Sequence, residues 1–347
     1  MKFKHLIIIV LILSSCSSPD QKGDTEMTNR LNFYNWSYYI AEETIPNFED
    51  EFGVRVRYDN FSSNSEILAK MQAGGSGYDI IVPSDYMVEI MIQLDMLQPI
   101  NFENIPNIEN IDERFKNLPF DPQNAYSVPY QWGTTGIGIN TRYVKENIDS
   151  WGVFWDENYK GRMSILDDMR SGLVPALKLL GYSVNTQNQA ELDEARDLMI
   201  QQKEFVRTYS SETYMDLLKS GDVWIAMGWS GDIFQVTKEN PDVIFVIPKE
   251  GSYIWVDNLV IPKRAPNKFT AETFINYLLR PDVSAEISNF TGYSSPNRTA
   301  LPFIDEDLLN DVSMYPNSEI MERLEYMRDV GDATRLYNRV WNEVKSN

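Results

Sequence analysis

The sequence predicts an α/β fold, with helices packed on both faces of a sheet. Three observations carry that expectation. Strand-like and helix-like segments alternate from residue 31 onward, and Gly, Pro or Asp residues punctuate the segments. A hydrophobic content of 43% and a charged content of 24% are those of an ordinary folded chain. At 347 residues there is material for two ordinary domains or one large one.

The elements follow in order. Residues 31–36 (LNFYNW) read as a strand. Residues 42–52 read as a helix stopped by Gly53, and 54–59 (VRVRYD) alternate as a strand does. Residues 64–73 read as a helix, with Asn64 or Ser65 as cap and Gly74-Gly75 as stop. Residues 79–82 (DIIV) form a short apolar strand ending in Pro83-Ser84. In such β-α-β-α-β units ligands bind beyond the carboxyl ends of the strands, where Trp36 and Ser84 sit. Further strands are expected at 136–140, 163–166, 224–227, 243–246 and 254–261. Helices are expected at 189–203, 271–279, 319–328 and 334–345. Gly74-Gly75-Ser76-Gly77 precedes a strand and reads as a turn. No internal repeat is visible.

The N-terminus reads as an address. Lys2 and Lys4 precede a continuous apolar run at 6–13 (LIIIVLIL), too short to span a bilayer as a helix and suited to a signal peptide. The L-S-S-C ending resembles a bacterial lipobox, which makes residues 1–15 the signal peptide and Cys16 the site of lipid attachment. Residues 16–29 are small, polar and unpatterned, and read as a flexible tether. A periplasmic or cell-surface body, anchored to a membrane by lipid alone, is therefore expected.

Charge and composition exclude several functions. There are 51 acidic residues against 31 basic ones, a net charge of −20. Such a chain repels nucleic acid and anionic lipid and attracts cations, although solubility alone also accounts for an acidic surface. The only Cys is Cys16 and the only His is His5. The mature body then has no Ser-His-Asp or Cys-His nucleophile system and no zinc site built on those residues. Phosphate-binding and dinucleotide-binding glycine motifs are absent. No cofactor and no metal are expected. A carboxylate-pair glycosidase using Asp167 and Asp168 survives as an alternative, against a simpler reading of that pair as caps after a strand.

Several long motifs, in order from about residue 31 to 345, resemble the spermidine/putrescine-binding receptors of bacterial polyamine ABC importers, a group of type II periplasmic binding proteins. They are FYNWSYYI (33–40), YDIIVPSDY (78–86), FDPQNAYSVPYQWGTTGIGIN (120–140), SWGVFWDENYKGRMSILDD (150–168), MGWSGDIFQV (227–236), WVDNLVIP (255–262), LLRPDV (278–283) and GYSSPN (292–297). The resemblance implies two α/β lobes, one of 30–130 and 257–297, the other of 131–256 and 298–347. Crossings are implied near 128–130, 256–257 and Asn297, with the ligand in the cleft between the lobes. It implies an aromatic box of Trp36, Tyr39, Tyr86, Trp229, Trp255 and Tyr293, with the acids Asp168 and Asp257 and contacts from Ser37, Ser84 and Ser211. Asp232 resembles the acid of the putrescine-preferring receptors. Such a box suits a small polycation, because ammonium ends need carboxylates while methylenes and cations both favour aromatic faces. The partners implied are a putrescine- or spermidine-like ligand and the permease subunits of an ABC importer, and the body is expected to be a monomer. A polyamine-sensing or surface-interaction lipoprotein is the alternative role.

Three positions depart from that pattern. Tyr38 and Ser171 stand where acids are expected, and Met327 where a Gln is expected. Asp85 is an additional acid, read here as facing solvent, with partial replacement of a lost carboxylate as the alternative. The loss of acids alongside Asp232 points towards a shorter diamine, or a ligand with one less-charged end.

Overall fold

The computed structural model describes residues 26–74 and 77–346. The expected signal peptide, Cys16, most of the tether, and Gly75 and Ser76 of the glycine turn lie outside the described residues. In chain order the strands are β1 (Arg30–Trp36), β2 (Arg55–Phe61), β3 (Ile80–Ile81), β4 (Ser127–Asn140), β5 (Met163–Ile165), β6 (Val206–Tyr209), β7 (Ile225–Trp229), β8 (Val243–Val246), β9 (Ser252–Val260) and β10 (Leu324–Tyr326).

They form two open α/β sheets that share β4. In the first, β1 lies parallel between β2 and β3, β3 meets β9 antiparallel, and β9 pairs antiparallel with β4 over Ser127–Thr134. In the second, β4 pairs antiparallel with β7 over Thr135–Ile139, and β5 lies parallel to both β7 and β6. Every residue of β4 and of β9 is buried, as a strand covered on both faces must be. These two strands carry the chain between two lobes. The segment around Ser294 bridges to Trp132 beside them.

The opening β-α-β-α-β run is as the sequence predicts. The first helix, Thr44–Phe52, starts two residues later than expected and ends at Gly53, whose φ of 68° accommodates the left-handed turn. The second, Asn64–Gln72, is capped by neither Asn64 nor Ser65. Ser63 caps it, its Oγ accepting the Glu66 amide at 3.2 Å. Asn64 is turned to Ser84 instead, donating to its Oγ and accepting from its amide, both at 3.1 Å. The helix expected over 319–328 is a second correction. A single helical turn, Ser318–Met321, gives way to β10, which lies parallel to β9 with Leu324–Tyr326 opposite Ser252–Ile254. Pairing with a buried strand here overrides a local sequence compatible with helix. The strand expected at 136–140 extends back to Ser127.

Candidate functional site

The carboxyl ends of β1, β3, β5 and β7 meet the middle of β9 between the two lobes. At the end of β1, Trp36 donates its indole N–H to the Val82 carbonyl at 2.8 Å and packs on Phe61 at 4.5 Å between ring centroids. The chain then turns through Tyr38, at φ 56°, which leaves Ser37 exposed and Tyr38 89% exposed while Tyr39 is buried. After β3, Ser84 opens into the helix Asp85–Gln93.

From here the predicted residues connect into a ring. Ser84 Oγ donates to Asp257 Oδ1 at 2.6 Å, and the Tyr39 hydroxyl lies beside the same carboxyl. The Tyr39 and Tyr293 rings meet edge to face at 5.3 Å, and Tyr293 meets Trp255 likewise at 5.2 Å. Pairs of this geometry contribute about 0.5–1.5 kcal/mol beyond the area they bury. Tyr293 donates its hydroxyl to Asp232 Oδ1, and Tyr214 donates to Asp232 Oδ2 at 2.7 Å. The Trp229 amide donates to the Tyr214 hydroxyl at 3.3 Å, and its indole N–H to the Tyr253 hydroxyl at 3.4 Å. Tyr253 and Ser171 hydroxyls are 2.8 Å apart, and the Ser171 amide donates to Asp168 Oδ1 at 2.7 Å. Asp168 in turn raises the pKa of Tyr86, after burial itself, and Tyr86 stands two residues after Ser84.

Glycines allow this approach. A Cβ at Gly231 would collide with the Tyr293 ring, and one at Gly133 would sit 2.6 Å from Trp255. The Gly between Trp229 and Asp232 is thus the floor on which Tyr293 rests.

The electrostatics are those of a negative enclosure. Burial pushes the Asp257 carboxyl up to about 7, against the Ser84 hydrogen bond and the Tyr39 hydroxyl, which pull it down. Burial also raises Asp232, against its two tyrosine donors. Three polar atoms in this region are buried without hydrogen-bond partners among the described residues: Tyr39 Oη, Trp255 Nε1 and Asp85 Oδ2. Each is costly unless something that binds there satisfies it.

Of the twelve residues expected at a ligand, eight join by hydrogen bond or ring contact: Tyr39, Ser84, Asp168, Trp229, Asp232, Trp255, Asp257 and Tyr293; Tyr86 lies close enough to Asp168 to feel its charge. Trp36 adjoins it through Val82. Ser37 is exposed, and no hydrogen bond ties Ser211 to the ring. Asp85 does not face solvent as the sequence suggested; it is fully buried, held against the N-terminal turn of its helix. Asp167 and Asp168 do not act as a pair. Asp167 bonds Lys345 at the surface, at 2.6 and 2.8 Å, while Asp168 accepts the amides of Arg170 and Ser171 as a turn cap. Tyr214 and Tyr253 were missed. Tyr253 had a signal, because 253, 255 and 257 share one face of a strand with period two. Tyr214, at the start of a seven-residue helix, had none. A surface cavity of about 430 Å³, lined by Arg114, Pro316, Ser318, Met321 and Glu322, shares none of these residues.

Comparison with known proteins agrees with this geometry. The model of the family described as bacterial extracellular solute-binding protein matches residues 43–317. The chain is 36% identical to the spermidine/putrescine-binding periplasmic protein of Salmonella typhimurium, over 99% of this chain and 98% of that protein. Among solved structures it is similar to a putative spermidine/putrescine ABC transporter from Listeria monocytogenes, with a TM-score of 0.88 and 35% identity over 92% of this chain and 99% of that one. It is also similar to the Tp0655 (TpPotD) lipoprotein of Treponema pallidum, with a TM-score of 0.84 and 34% identity over 92% of this chain and all of that one.

Proposed function

This chain belongs to the bacterial extracellular solute-binding proteins, in the spermidine/putrescine-binding family, and from that premise we propose that its ring of acids and aromatics encloses a polyamine for delivery to an ABC importer. The protein binds and hands over its solute; the family is not enzymatic. The observation that carries the ligand class is the joining of Asp168, Asp232 and Asp257 to Tyr39, Trp229, Trp255 and Tyr293 in one connected network. A neutral solute leaves such buried carboxyls uncompensated, whereas an alkylammonium chain meets both needs.

The lobes are assigned as 30–130 with 257–297, and 131–256 with 298–347. The change of β4's partner from β9 to β7 between Thr134 and Thr135 supports this. Closure of the lobes over the ligand is a hinge motion about β4, β9 and the segment around Ser294. The body is extracytoplasmic, as the periplasmic relatives are. Lipid attachment at Cys16 is supported by the L-S-S-C ending and by the lipoprotein among the similar structures. The permease subunits of an importer are the partner, and a monomer is the acting form. Tyr38, Ser171 and Met327 in place of polar or acidic groups favour a diamine over a triamine.

Titration calorimetry of the body lacking residues 1–16, after unfolding and refolding to strip carried-over ligand, tests this reading. Putrescine, cadaverine, spermidine and spermine are the probes. One-to-one binding of at least one, at about micromolar strength (roughly −8 kcal/mol) or tighter, is expected. No heat with any of the four overturns the ligand class, and a clear preference for spermidine over the diamines overturns the length assignment.

A further inference from the structure

Asp85 opens the helix Asp85–Gln93, immediately after Ser84, and is fully buried. An acid in the first turn of a helix ordinarily faces water, where it complements the positive end of the helix dipole at little cost. Here the carboxylate is inside. Its Oδ1 accepts the Tyr86 amide at 2.8 Å, and its Oδ2 has no hydrogen-bond partner among the described residues. The nearest charges are of both signs. Burial holds its carboxyl well above the usual carboxylate range, Asp257 repels it, held close because Ser84 bridges to Asp257, and the Val256 amide, Arg170 and Arg328 act on it in the opposite sense. Arg170 is engaged elsewhere: its guanidinium donates to the carbonyls of Arg328 and Val184 and to Asn185 Oδ1.

The Tyr86 and Val256 amides give the carboxyl a structural role at this turn, but no reason for placing it beside Asp257. A Ser or Thr at the same place would complete the turn without burying a carboxylate beside another. Asp85 and Asp257 place two carboxyl groups side by side, and Arg170 is committed to its own carbonyl partners. The position is also right for a ligand, since Ser84 before it and Asp257 opposite belong to the ring described above, and Tyr86 after it lies close to Asp168.

We infer that Asp85 is an additional ligand carboxylate, its free Oδ2 taking an ammonium group of the bound polyamine close to the one that Asp257 holds. The inference rests on the polyamine reading. It makes Asp85 a specificity-determining residue, because two neighbouring carboxylates favour a cationic end over a hydroxyl or amide end. The competing role is structural: a buried counter-charge for Arg170, whose Nε also lacks a hydrogen-bond partner among the described residues.

The two roles predict opposite changes in Asp85→Asn, which keeps the shape and the Oδ1 contact and removes the charge. Two measurements are made on refolded, ligand-free protein: calorimetric affinity for putrescine and spermidine, and thermal unfolding without ligand. For each amine that the wild type binds, a rise in Kd of about tenfold or more is expected, because the ammonium loses a buried partner. The ligand-free midpoint is expected to stay or rise, because burial already disfavours the charged form of Asp85 when no cation is bound and Asn keeps the Oδ1 contact. A smaller rise in Kd, or a lowered ligand-free midpoint, overturns the inference and makes Asp85 the structural partner of Arg170. Asp85→Ser, a short helix-capping replacement, gives the same comparison if the Asn variant fails to fold. Wild type that binds neither amine removes the polyamine reading and this inference with it. Wild type that binds while Asp85→Asn binds equally well removes this inference alone.

Discussion

Lowering the pH from 8 to 5.5 is expected to weaken polyamine binding by about 30-fold, roughly 2 kcal/mol, through Asp257 alone. The reasoning starts from burial, which raises this carboxyl to about 7 in the ligand-free protein. Only the ionised form pairs with an ammonium group, and pairing pulls the pKa back down. Binding therefore releases a proton wherever Asp257 was protonated. The affinity is full above about pH 8, halved near pH 7 and falls about tenfold per pH unit below pH 6. Alkylammonium groups, like Lys, stay largely charged across this window, so the change lies in the protein. Asp232 and Asp85 are raised by the same cause and add to the slope in the same direction. Stability changes with the opposite sign. A carboxyl whose folded pKa lies above its unfolded value stabilises the fold while protonated. The ligand-free protein thus loses that stability as pH rises from about 4 through about 7, by about 4 kcal/mol if the whole shift is realised. Calorimetry across the pH series, repeated in buffers of different ionisation enthalpy, reads both the affinity and the released proton. Asp257→Asn should lose about 30-fold or more in affinity at pH 8, flatten the pH profile, and gain ligand-free stability relative to wild type as pH rises. A wild-type affinity that is flat between pH 5.5 and 8, or an undiminished slope in Asp257→Asn, refutes the argument.

Two further outcomes follow from the ring. Tyr293→Phe removes one of the two hydroxyls that hold Asp232 and should weaken amine binding by about 5- to 10-fold, with ring packing against Tyr39 and Trp255 retained; unchanged calorimetric affinity would show that Asp232 needs no such support. Gly231→Ala drives a methyl group into the Tyr293 ring and should lower unfolding stability by about 1–3 kcal/mol along with affinity; urea unfolding that matches wild type would mean the ring moves aside freely.

How much of this was legible in the sequence depended on which forces fix each element. The opening strands and helices were readable because their periodicity and stop signals are local: Gly53 takes a left-handed turn only at the end of a helix that has already formed. The lining residues on β9 were readable for a similar reason, since a strand sends 253, 255 and 257 to one side. Residues 324–326 were not, because their strand character comes from lying beside Ser252–Ile254, far away in the chain. Asn64 was misassigned as a cap through a distant partner, Ser84, which claims its side chain. Asp85 was misread because an acid at the start of a helix is ordinarily solvated, and only the packed structure shows it enclosed near Val256 and Asp257.

The same enclosure links binding to closure. With the lobes assigned as proposed above, Tyr293 follows a helix of the first lobe and Asp232 follows β7 of the second, so their hydrogen bond joins the two. On the proposed reading, bringing the lobes together dehydrates Asp232 and Asp257, which costs free energy for as long as they carry charge without a counter-ion. A cation in the space reverses that sign, because the same dehydration then strengthens each ammonium–carboxylate contact. The closed form is thereby favoured by the ligand through differential affinity, and an isosteric neutral solute, making the same apolar contacts, lacks the term that closes the lobes. The acidic surface acts earlier and separately. A net charge of −20 raises the encounter rate of a polycation and is screened by salt, whereas the enclosed carboxylates act within the closed form and are screened far less.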